Sequence, residues 1–267
     1  MNINVQYGYY IQGSLVGFNL NLNAYEEYYK ELKRVLKIKH VKNFPFVRVG
    51  KANDGGYLMI DDLCEHIAYS FGISNDVSWD NDMANCGYHI YMYDPTIERL
   101  PYEREEFHFF KEGLAGSKIP EKNLDTLENF IIRNNHTNKK HMILKIDIEG
   151  YEWDFLSTVK SSTLNQFDQI LFEFHNVVTA KTEEEWRKTI NLFEKINQTH
   201  EVAHIHGNNC DSIITIDNQV FPNALEVSYV NKSVYECVKD NDIKLPRNID
   251  APNDTGRPDI ILGKWNK

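Results

Sequence analysis

The chain has 267 residues, 42% of them hydrophobic and 25% charged, ordinary globular proportions that exclude wholesale disorder and predict one core with added elements. A net charge of −10 and a pI near 5.5 argue against a duplex nucleic-acid binder, because neutralising phosphates takes a basic surface. The start, MNINVQYGYYIQGSLVGFNLNLN, has no cationic head followed by an apolar core, and no run long enough to span a bilayer follows, so a cytoplasmic protein with no membrane partner is expected.

Residues 24–38 mix charged and apolar residues at helical spacing and predict an amphipathic helix within an N-terminal extension, residues 1–45, packed on the core. From residue 67 short apolar runs alternate with polar helical stretches. The runs at 67–72, 89–94, 108–110, 142–147, 169–175, 201–206 and 225–230 read as strands, and 76–86, 122–135, 152–165 and 182–197 as helices. Continuous apolar strands suit a sheet buried on both faces, and the alternation predicts a Rossmann-like, mostly parallel, doubly wound α/β sheet within residues 46–267. The Asn-, Pro- and Asp-rich stretch 245–260 reads as an irregular C-terminal arm. Cys64, Cys86, Cys210 and Cys237 form no C-x-x-C pair, which disfavours a zinc knuckle or redox dithiol and predicts small buried thiols.

In such a sheet ligands bind at the carboxyl ends of the strands. The first strand ends in Phe71-Gly72-Ile73-Ser74-Asn75-Asp76, where Gly72 permits a close turn and Ser74, Asn75 and Asp76 suit a helix N-cap. The second ends at Asp94, 22 residues after Gly72, the spacing at which an acid meets ribose hydroxyls. The three-glycine dinucleotide fingerprint is missing, which favours S-adenosylmethionine, a donor without a pyrophosphate, over a nicotinamide dinucleotide. Gly113-Leu114-Ala115-Gly116, after the third strand, is a small-residue wall for an adenine or a plain turn.

The fourth strand ends in Lys145-Ile146-Asp147-Ile148-Glu149-Gly150-Tyr151-Glu152. Alternation puts Asp147 and Glu149 on one side if the strand persists, where close carboxylates invite a proton, a cation or a substrate hydroxyl; otherwise Glu149 and Glu152 serve the following helix. Glu173-Phe174-His175-Asn176 and His204-Ile205-His206-Gly207 end the fifth and sixth strands. Asp147, His175 and His206 converging on one rim would suit base catalysis or a divalent metal.

Together AYSFGISNDVSWD, MYDPT, LKIDIEGYEWDFL and FEFH resemble an FkbM-type methyltransferase, over residues 46–230. The upstream Arg48 to Tyr57 and the downstream HIHGNNC and LEVSYV resemble its methyltransferase-like branch. The resemblance implies a class I methyltransferase domain at 46–267, S-adenosylmethionine as cofactor, and an oxygen acceptor on a small molecule, a sugar or a capsule or surface-polysaccharide precursor, with phosphorylated and phosphoramidate-bearing precursors in its range. It implies that Gly72, Ser74 and Asn75 hold the methionine part and Asp94 the ribose, and that Asp54, Gly55, Gly56 and Tyr57 close over the donor; Leu114 and Ala115 of the small-residue wall are the candidates to flank the adenine. Asp147, Glu149 and His175 become the catalytic candidates, and Asp147, His175 and Asn176 a candidate Mg or Mn site. The rival readings are an NAD-dependent nucleotide-sugar oxidoreductase, which the missing G-x-G-x-x-G opposes, and a noncatalytic binding module of the same fold.

Overall fold

A computed structural model describes residues 3–6, 22–63, 66–179, 182–216 and 219–267. Its central sheet has strands β1 (Ile67–Phe71), β2 (His89–Tyr93), β3 (Phe107–Phe110), β4 (Met142–Ile146), β5 (Phe167–Phe174), β6 (His200–Gly207) and β7 (Leu225–Asn231). In space they run β6-β7-β5-β4-β1-β2-β3. Neighbours from β5 to β3 are parallel, while β7 is antiparallel to both β5 and β6. All of β4, β5 and β7 is buried, the condition their continuous apolar runs predict. Chain order reverses between β1 and β4, so the carboxyl ends of those strands form the crevice where an open sheet takes its ligand.

Helices α1 (Leu22–Val35), α2 (Ser78–Asn85), α3 (Leu127–Arg133), α4 (Glu152–Thr158), α5 (Ser161–Leu164) and α6 (Glu183–Ile196) cover the sheet. In α6 a Thr182–Glu185 capping box starts the helix, and Trp186, Ile190, Phe193 and Ile196 bury one face. Each such side chain contributes roughly 1.5–3 kcal/mol. The α1 face of Tyr28, Tyr29, Leu32 and Val35 joins the same core, so the N-terminal extension shares the hydrophobic interior of the sheet. The expected helix at 122–135 begins later. Asn123 turns left-handed at φ 53°, Leu124–Asp125 forms a short strand, and Thr126 caps α3 by accepting the Asn129 N–H. The one expected over 152–165 breaks at Val159 and Lys160, whose extended backbone buries Val159 and lets the Lys160 N–H reach Glu128.

Two additions complete the crevice. The hairpin of Phe46–Val49 and Tyr57–Ile60 is locked to β5 by Gln169, whose amide both donates to and accepts from the Ile60 backbone. The C-terminal arm lies against β6: His204 meets Asp250 at 2.9 Å and His206 meets Asp259 at 3.0 Å, and the Trp265 indole donates to the Leu36 carbonyl. Among the described residues no helix is long and apolar enough to cross a membrane. Cys86 and Cys210 are exposed free thiols and Cys237 is half-buried, which corrects the expectation of buried thiols; Cys64 lies outside the described residues.

Candidate active site

A cavity of about 660 Å³ opens at the carboxyl ends of β1, β2 and β4, within the usual range for small-molecule sites. Gly72 makes its inner turn. The residue sits at φ +78°, and a Cβ there would lie 1.5 Å from the Asp147 carbonyl oxygen, so only glycine lets the β1 and β4 ends approach this closely. Asp94 holds the turn: its Oδ2 accepts the Ile73 and Ser74 N–H groups at 2.9 and 2.7 Å, and its Oδ1 accepts the N–H and hydroxyl of Thr96. Burial raises this carboxyl, but the Thr96 hydroxyl and the backbone donors outweigh it and hold the group below its ordinary value. The expected N-cap does not form. Val77 precedes α2 without a side-chain cap, Ser74 is left-handed at φ 50°, and Asp76 accepts the Ser78 N–H instead.

On the β4 side the strand stops at Ile146, so alternation does not bring Asp147 and Glu149 together. A turn does, with Glu149 at φ 54° and Gly150 at φ 99°. Asp147 accepts the Tyr57 hydroxyl at 3.1 Å. Burial pushes its carboxyl up to about 6, against the pull of Lys145 and His175. The His175 Nδ1 lies 3.2 Å from Glu152 Oε1, and its Nε2 3.5 Å from Glu149 and 3.6 Å from Glu173. Burial lowers this imidazole, but the Glu152 hydrogen bond and the Glu173, Glu152 and Asp147 carboxylates more than offset it, pushing it up to about 9. Asp147, Glu149 and His175 each place a donor atom within 4.8 Å of the others, and this oxygen and imidazole set fits a hard-to-borderline divalent cation.

Strand register extends this group across the sheet. Glu173 pairs with Glu226 and Glu226 with His206, and Ile146 pairs with Phe172, which sets Asp147 beside Glu173. Glu173 is buried and accepts the Asn208 amide at 2.6 Å. Burial, then the Asp147 and Glu226 charges, hold its carboxyl well above the ordinary value. His206 lies between Glu226 at 3.1 Å and Asp259 at 3.0 Å, so it ties the arm to the sheet and does not join Asp147 and His175 as expected. The arm reaches the crevice through Asn253, whose side-chain amide donates to Asp54 at 3.1 Å and to Glu226 at 2.6 Å, while its backbone carbonyl accepts the Asp54 N–H.

Of the residues singled out in the sequence, Asp54, Gly55, Gly72, Ser74, Asn75, Asp94, Leu114, Asp147 and Glu149 line the cavity. Tyr57 reaches it through Asp147, and Gly56 packs on the Lys51 carbonyl, where a Cβ would lie at 1.9 Å. Ala115 is buried behind Leu114, its N–H bound to the Asp125 carbonyl. Asn176 is left-handed at φ 60°, with its amide beside Gly150. Sequence reasoning did not assign Glu152, Glu173, Glu226 or Asn253 to the site. The first three are carboxylates in apolar surroundings, costly unless paired, and that cost was a usable signal; Asn253 in an irregular arm offered none.

The chain matches the methyltransferase FkbM domain over residues 8–208, and no curated protein matches it. Among solved structures it is similar to a protein of Streptococcus thermophilus assigned as a hemolysin, with TM-score 0.39 and 9% identity over 83% of this chain and 69% of that one. It is also similar to an Anabaena variabilis protein assigned as a methyltransferase of an antibiotic biosynthesis pathway, with TM-score 0.29 and 10% identity over 51% and 57%. A Pyrococcus horikoshii protein assigned as an RNA methyltransferase gives TM-score 0.32 and 12% identity over 77% and 98%. Likenesses this distant bear no weight in the assignment. It rests on the domain match, which spans most of the chain, and on a sheet whose switch point holds the cavity: the protein belongs to the FkbM methyltransferase family and is an S-adenosylmethionine-using enzyme.

Proposed function

We propose that the enzyme methylates a hydroxyl oxygen of a small polyhydroxylated acceptor, a sugar or a capsule or surface-polysaccharide precursor. The observation that carries this reading is Asp147, a half-buried carboxyl at the cavity raised to about 6 and hydrogen-bonded to Tyr57. A sugar hydroxyl attacks poorly until its proton is removed, and a base titrating near 6 is ionised at neutral pH yet stronger than an ordinary carboxylate. His175, raised to about 9, carries its proton at neutral pH, so Asp147 is the base. Bound S-adenosylmethionine supplies the electrophilic methyl. Asp147 takes the hydroxyl proton as the acceptor oxygen bonds to the methyl carbon and the carbon–sulfur bond breaks, and positioning of the two reactants supplies much of the rate.

On this reading the Gly72–Asn75 turn, shaped by Asp94, meets the methionyl and ribose parts of the donor, Gly113 and Leu114 flank its adenine, and Asp54 to Tyr57 cover it. A divalent Mg or Mn ion at Asp147, Glu149 and His175 would displace the His175 proton and engage the Asp147 carboxylate, and in that state the ion would lower the pKa of the acceptor hydroxyl in place of the free base. The acids at the mouth favour a neutral acceptor. A phosphorylated or phosphoramidate-bearing one would meet Asp147 and Glu149 as like charges, and its use would depend on the cation. The test is methyl transfer to a panel of sugars, nucleotide sugars, amines and thiols, with and without Mg or Mn, and with the product atom identified. Methyl on a sugar oxygen supports the reading, and transfer confined to nitrogen or sulfur overturns it.

A further inference from the structure

Two buried charges line the cavity near enough for Lys145 to favour the Asp80 carboxylate, yet without a bonded ion pair between them. Asp80, in the first turn of α2, is 1% exposed, and its Oδ1 has no hydrogen-bond partner. Lys145, on β4, is 5% exposed; its ammonium donates to the Gly72 carbonyl at 3.0 Å and lies 5.5 Å from the Tyr57 ring centroid. Both face the cavity, and no ion pair within 4.0 Å joins them. A buried pair kept for stability closes to bonding distance, because each charge left in a low-dielectric interior is costly. Here the carboxylate keeps an unmatched acceptor and the ammonium keeps N–H bonds to give, on a cavity wall beside the Gly72 turn. A ligand group with both charges, an α-ammonium and an α-carboxylate, satisfies the two at once.

We propose that Asp80 and Lys145 seat the amino-acid end of the donor, Asp80 accepting from its α-ammonium and Lys145 donating to its α-carboxylate. The proposal rests on the cavity being the donor site. It makes these side chains the determinants of the zwitterionic end, while the Gly72–Asn75 turn spans the methionyl and ribose parts and Leu114 serves the adenine.

The test compares S-adenosylhomocysteine with 5′-methylthioadenosine, which keeps the nucleoside and lacks the amino-acid end, by calorimetry on the full chain. Asp80→Asn and Lys145→Met each weaken S-adenosylhomocysteine about tenfold or more, the worth of one charged hydrogen bond, and leave methylthioadenosine within about twofold, which also reports that the nucleoside half is folded. Equal loss of both ligands, or unchanged S-adenosylhomocysteine affinity, overturns the proposal alone. A wild-type protein that binds neither overturns the donor-site reading and this proposal with it.

Discussion

The two halves of the sheet hold their polar groups by different means. Around β1, β2 and β3 the cavity is shaped by backbone: Gly72 at φ +78°, and Asp94, whose bonds go to main-chain N–H groups and Thr96. Across β4, β5, β7 and β6 the polar groups are side chains set abreast by register, Asp147, Glu173, Glu226 and His206, and burial raises the Asp147 and Glu173 carboxyls, with neighbouring carboxylates adding to the rise at Glu173. A backbone-lined half is complete once its turns form and suits a ligand that is always the same. A half built of buried acids carries a raised proton affinity, which suits proton transfer or a bound cation.

Substitutions sharpen this contrast, and the largest effect is expected at Asp147. Asp147→Asn removes the base and lowers kcat by about 10²–10⁴-fold while S-adenosylhomocysteine still binds by calorimetry; full turnover would erase the functional difference between the halves. Gly72→Ala strikes the other half, driving a Cβ into the Asp147 carbonyl. Backbone strain alone costs about 1–3 kcal/mol, so a lowered Tm and lost donor binding are expected together, and an unperturbed melt would deny the close approach.

Asn253→Ala cuts the arm from Asp54 and Glu226 and should weaken donor affinity by about tenfold, read as a rise in KM for the donor. His206, held between Glu226 and Asp259, is pushed up to about 10: burial works against its charge, and the Asp259 and Glu226 hydrogen bonds outweigh burial. Its pKa is higher in the folded than in the unfolded chain, so its contribution is fully present below 6.5 and is lost as pH rises through about 10. Denaturant melts from pH 6.5 to 10 should show that loss in the wild type and a flatter profile in His206→Gln. Smallest is Thr182→Ala, which opens the α6 capping box for about 1 kcal/mol and leaves methyl transfer unchanged, because α6 lies outside both halves of the crevice.

The backbone-built half was the legible one. Gly72 and Asp94 announce themselves because a turn residue and an acid at strand ends are local signals, readable within some twenty residues of chain. The other half was legible only in pieces. Asp147, Glu149 and His175 were singled out, but through an alternation that the Glu149 turn replaces. Glu173 and Glu226 passed as parts of apolar strands, and His206 was expected beside His175 although Asp259 of the arm claims it. Register between strands distant in sequence decided each of these.

The sequence by itself determined the strands of the sheet and the close turn at Gly72, because apolar runs, glycine and strand-end acids act over short range and tolerate few alternatives. Only the tertiary structure decided which acids are buried and raised, that Glu152 orients His175, and that the arm enters the site through Asn253. A carboxylate's pKa and partner depend on which charges and which buried surfaces come within a few ångströms, and those neighbours come from strands and segments far apart in the chain.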